Sequence, residues 1–142
     1  MCLAVYISTD RKIKTSEFVE NETYFYIEEE TINNDKLQDK FKYNNIYYCG
    51  SYTCCSCGFN FDFYDEDDDE DRNENMWGKK SLDEMFTFFR NEIDKLKEIE
   101  MFVCWEGDEE CEPKTKRTIE LSKFEFNKEF HFDELEYIQI IN

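Results

Sequence analysis

The sequence predicts an α+β fold. It reads as one domain over 1–142, a mostly antiparallel sheet of about five to seven strands packed on one long amphipathic helix at about 82–99. Three observations carry that prediction. Apolar residues recur at helical spacing over one long stretch, and short apolar or alternating runs recur on both sides of it. The chain is also 40% hydrophobic and 18% aromatic, with 14 Phe and 9 Tyr, whereas a disordered acidic chain is poor in aromatics. With 142 residues a chain buries roughly 70% of its unfolded surface and folds without staples.

The elements follow in order. Residues 3–7, LAVYI, form an unbroken apolar run whose length and β-branched content suit a strand covered on both faces. Residues 9–22 are polar and read as loop. TYFYIEEET (23–31) reads as an aromatic-rich strand, NNDKLQDKF (33–41) as a helical turn or two, and NIYYC (45–49) as a strand. Residues 65–80 and 106–117 are expected to be mobile acidic loops, because runs of like charge repel and resist packing. Ser81 with Glu84 has the form of a capping box. Leu82, Met85, Phe86, Phe89, Ile93, Leu96 and Ile99 then make one apolar stripe. MFVCW (101–105) is apolar on both parities and reads as a central strand. RTIELSKFEF (117–126) and EYIQII (136–141) close the sheet, with a bend near Leu121 where the alternation breaks.

The net charge of −18 argues against direct binding of nucleic acid or an anionic membrane, both of which need a cationic footprint. No run of 18 apolar residues occurs, and the start lacks the pattern of a signal peptide. Seven cysteines, an odd number with Cys54 and Cys55 adjacent, fit a reduced cytoplasmic protein better than a disulfide framework.

Four cysteines fall within YYCGSYTCCSCGFNF (47–61). Cys49, Cys54, Cys55 and Cys57 could hold zinc, or Cu(I), as soft thiolate ligands. Their spacing lacks the two separated knuckles of a structural zinc site, so Cys2 or Cys111 would be called on to complete one. The competing expectation is a strand in which Cys55, Cys57, Phe59, Phe61 and Phe63 face the core, with cysteine acting as a small hydrophobe. Cys54 then faces the polar side as the group's best candidate for a reactive thiol, and Cys104 packs in the core.

No catalytic set stands out: His131 is the one histidine, and no nucleophile elbow, phosphate loop or zinc-protease motif occurs. The acids, in contrast, are concentrated. Residues 62–75 hold nine against Arg72, and 106–112 hold five and no base, out of 35 in the chain. A helix that reverses tightly into a strand returns both segments to one end of the molecule. That end is the expected docking surface for a basic protein, contributed by Asp65, Glu66, Asp67, Asp68, Asp69, Glu70, Asp71, Trp77, Asp108, Glu109 and Glu110. The role expected is that of a non-catalytic inhibitor, immunity-type protein or nucleic-acid mimic. The alternative is a thiol or metal protein built on the cysteine cluster.

Overall fold

The computed structural model describes residues 2–60, 69–125 and 130–142, with backbone alone over 69–71. Six strands form one sheet: β1 (Leu3–Thr9), β2 (Phe25–Glu29), β3 (Asn45–Ser51), β4 (Ile99–Trp105), β5 (Thr115–Glu120) and β6 (Glu136–Ile141). Their order is β2-β3-β1-β4-β6-β5. Every pairing is antiparallel except β5 with β6. Among the described residues the sheet is accompanied by a short helix α1 (Asn34–Leu37) and a long helix α2 (Asp69–Glu92), and the fold is α+β.

The central strands are apolar on both parities because both faces are covered. Leu3, Val5 and Ile7 of β1 and Met101 and Val103 of β4 meet Leu82, Met85, Phe86 and Phe89 of α2 in the larger core. Ala4, Tyr6, Phe102 and Cys104 point the other way, against Leu37, Phe41 and Leu135. Cys104 is thus a core residue. The parallel pair forces a crossover between β5 and β6. Its described residues add Leu121, Phe124, Phe130 and Phe132 to the helix-side core, with Phe86 and Phe124 centroids 4.9 Å apart. The Asn60 side chain fixes this crossover, donating to the Phe132 carbonyl at 3.2 Å and accepting the Phe132 amide at 2.9 Å.

Two boundaries differ from expectation. Ser81 is not a helix cap: α2 starts at Asp69, so residues 69–80 are helical rather than loop, and residues 65–68 lie outside the described residues. The physical reason is that acids in a first turn sit at the positive end of the helix dipole, where their charge is favoured. At the other end α2 stops at Glu92 and a 3-10 turn runs over Ile93–Lys95. Ile99 already belongs to β4, so the last three members of the apolar stripe, Ile93, Leu96 and Ile99, lie beyond α2. Leu96 is extended, and the Lys97 amide donates to Asp10 at 3.0 Å. A side chain from the β1 end therefore helps to terminate the helix, a signal that no local pattern carries.

Candidate functional site

The register decides which segments share an end. Leu3 pairs with Trp105, and Val5 pairs with Cys49. Continuing the second pairing by two residues brings Ser51 alongside Leu3. The Tyr52 amide then donates to Ser81 Oγ of α2 at 3.2 Å. The part of α2 before Ser81 and the turn after Trp105 are thereby placed at the same end of the sheet. Of the sequence-predicted docking residues, Asp65, Glu66, Asp67 and Asp68 lie outside the described residues, and Asp69, Glu70 and Asp71 open α2.

Trp77 is exposed on α2, its ring 5.7 Å from that of Tyr52. Trp105 is half-buried against the core. Asp108 is half-buried and Glu110 exposed. Glu109 is 4% exposed, and its carboxylate accepts the Gly107 amide at 2.9 Å. Gly107 has φ +103, a conformation costly for any residue with a Cβ. Glu109 therefore closes this turn. Burial pushes the Cys104 thiol above its ordinary range, and the Glu109 charge beside it adds to that.

Two clefts reach this end, and the second runs from it along the sheet face to Glu30, whose amide donates to the Ile46 carbonyl. One, of about 610 Å³, is lined by the rings of Phe18, Tyr24, Tyr52 and Trp77, with Cys54 at its edge. Lys80 Nζ lies 4.0 Å from the Tyr24 ring centroid, so a cation already rests on one of these rings. The second, of about 410 Å³, shares Cys54 and gathers Glu28, Glu30, Glu106 and Glu109 with Tyr6, Tyr26 and Tyr48. Burial raises all three phenols, aided by Glu109 at Tyr6, by Tyr48 at Tyr26 and by Cys55 at Tyr48, so they stay protonated. Sequence reasoning missed Glu28 and Glu30. Their membership follows from β2 pairing with β3, which no local motif encodes.

Among the described residues the exposed large hydrophobic side chains are Val19, Ile32, Met76 and Trp77. Ile32 lines the acidic cleft and Trp77 the aromatic one. Met76 adjoins Trp77 in sequence, and Val19 sits between the lining residues Phe18 and Glu20.

Beyond the end of β3 at Ser51, the cysteine-rich segment is not a strand over its described length. Cys54 has φ +68, and Ser56–Phe59 form a 3-10 turn. Phe61 and Phe63 lie outside the described residues. Ser56 rather than Cys55 or Cys57 is fully buried, because its hydroxyl donates to the Cys49 carbonyl at 2.6 Å and accepts the Val5 amide at 2.9 Å. Small hydroxyl side chains compete with ladder hydrogen bonds in this way. Cys49 is buried in the helix-side core, where desolvation holds its thiol well above the ordinary range. Cys54 is exposed, with its carbonyl accepting the Tyr26 hydroxyl at 2.9 Å. The four clustered cysteines therefore do not converge. Cys55 and Cys57 instead meet Cys2, and the three Sγ atoms all lie within 4.8 Å of one another. Burial, together with the neighbouring Cys55 and Cys2 thiols and against the Leu3 amide, pushes the Cys57 thiol up to about 12. It is a poor nucleophile at neutral pH.

His131 is exposed on the crossover, 3.0 Å from Asp133, between the buried Phe130 and Phe132. Among the described residues no helix is long and apolar enough to cross a membrane. The chain matches no family model, no curated protein and no solved structure.

Proposed function

We propose that this is a non-catalytic binding protein that engages a basic protein surface through the sheet end carrying Trp77 and the 105–112 turn. The observation behind this reading is that two exposed hydrophobics, Trp77 and Ile32, line an aromatic cleft and an acidic cleft respectively. Apolar anchors inside a charged rim are the usual make-up of a docking surface. The aromatic cleft suits a lysine or arginine side chain, since ring faces attract cations. Glu28, Glu30 and Glu106 beside it, with the acids of 65–71, supply a field that speeds encounter and selects a basic partner. An inhibitor, an immunity-type protein or a nucleic-acid mimic would act through such a surface.

The test is calorimetric titration with a synthetic arginine- and lysine-rich peptide at increasing salt. Affinity is expected to fall steeply as salt screens the field. Trp77→Ala is expected to weaken binding by about thirtyfold, the effect of losing a 2 kcal/mol anchor. Charge reversal over Asp65–Asp71 should weaken it further. Undiminished binding after neutralising Asp65–Asp71 together with Glu106, Asp108 and Glu110 would overturn the reading.

A further inference from the structure

Cys2, Cys55 and Cys57 come from two distant places in the chain, and the fold holds both in position. The Glu106 amide donates to the Cys2 carbonyl at 2.8 Å, which ties the start of the chain to the end of β4. On the other side, buried Ser51 donates to the Cys55 carbonyl at 2.6 Å and accepts the Gly58 amide at 3.0 Å. Ser56, between the two cysteines, is fixed by its hydrogen bonds to Cys49 and Val5. The turn tolerates no larger residue at Gly58, where a Cβ would lie 2.4 Å from Ser51 Oγ. The Leu3 amide points at Cys57 Sγ, 3.2 Å away. All three thiols are free and half-buried.

These features describe a preorganised sulfur triangle rather than three packed side chains. An ion bound to three thiolates at about 2.3 Å sets the sulfurs about 4 Å apart, which fits inside the observed 4.8 Å spread. The donor set is wholly soft, and soft donors select Cu(I) or zinc over magnesium or calcium. Among the described residues no fourth thiolate, imidazole or carboxylate joins the group. Structural zinc sites are closed by four protein ligands, so a three-sulfur set favours the cuprous ion. An amide aimed at a ligand sulfur is the kind of outer contact that orients and stabilises a thiolate.

The geometry points to a three-thiolate Cu(I) site formed by Cys2, Cys55 and Cys57. Binding forms three copper–sulfur bonds and releases the thiol protons to water, with no change in oxidation state. The site lies just before β1 and on the turn after β3, and it does not depend on the basic-partner reading.

The experiment uses the full chain, reduced and handled without oxygen, titrated with Cu(I) against a competing colorimetric chelator. One equivalent is expected to bind, with thiolate-to-copper charge-transfer absorption in the ultraviolet and three sulfur neighbours by X-ray absorption. Losing a group that merely orients a ligand costs about ten- to a hundredfold in affinity, so Cys55→Ser and Cys57→Ser should each cost at least about tenfold. Cys54→Ser and Cys111→Ser should leave affinity unchanged. In the unsubstituted protein, bound Cu(I) should shield Cys2, Cys55 and Cys57 from alkylation while Cys54 and Cys111 still react, a readout that needs no variant to fold. Absence of stoichiometric binding, equal losses in the Cys54 or Cys111 variants, or shielding of a different set of cysteines would overturn the assignment. One equivalent of zinc held more tightly than Cu(I) would do the same.

Discussion

Glu100 is 1% exposed on the second face of the sheet, where a bare carboxylate would cost several kcal/mol. It is satisfied instead. Ser8 Oγ donates to Oε1 at 2.9 Å, the Lys42 amide donates to the same oxygen at 2.7 Å, and the Tyr137 hydroxyl donates to Oε2. Burial raises the Tyr137 phenol, and its Glu100 contact adds to that, so it remains a donor. Glu100→Ala would orphan three donors at about 1–3 kcal/mol each. A loss of at least about 2 kcal/mol in urea unfolding is expected, and a loss below about 0.5 kcal/mol would show that water replaces the carboxylate. Two residues away Glu98 behaves differently. Burial works against its charge, but hydrogen bonds from Lys42 (2.8 Å) and Gln139 (3.0 Å) hold its carboxyl below the ordinary range. A depressed acid contributes stability above its unfolded pKa and loses it as pH falls through the folded value. Glu136 has the opposite sign: burial raises its carboxyl despite Arg117, so its penalty is relieved on acidification. Glu98→Gln should therefore lower stability at neutral pH and flatten its decline on the acid side. An unchanged acid limb would contradict the assignment.

At the scale of elements, periodicity located every strand but did not set the ends of α2. β1 and β4 were legible because burial on both faces leaves a continuous apolar run, and β6 because EYIQII has strand length and turn residues before it. The helix starts at Asp69 rather than at Leu82, since a capping box is a local signal and Ser81 instead receives the Tyr52 amide from the end of β3. The cysteine turn was illegible for a related reason. Alternation of Cys55, Cys57 and Phe59 imitates a strand, while the decisive bonds of Ser56 reach β1 and β3. Lys79→Pro separates the two accounts of the helix start. Inside a helix proline removes a hydrogen bond and clashes with the preceding turn, at about 3 kcal/mol; in a loop before a cap at Ser81 it would cost little. A loss near the larger figure is expected from thermal or urea unfolding.

At the scale of the whole molecule, the net charge of −18 would attract any cation weakly everywhere, so the proposal needs localisation and not attraction alone. The candidate surface was half legible. The acidic segments and Trp77 stand out in the sequence, whereas the aromatic cleft, Glu28, Glu30 and the burial of Glu109 depend on strand order. The most direct measurement is amide chemical-shift mapping of the isotope-labelled protein with a short arginine-rich peptide at physiological salt. Perturbations concentrated at residues 18–24, 52–54 and 77 and in the 105–112 turn are the predicted result. Shifts scattered evenly over the exposed acids, or gathered along β5 and the exposed face of the crossover, would contradict it.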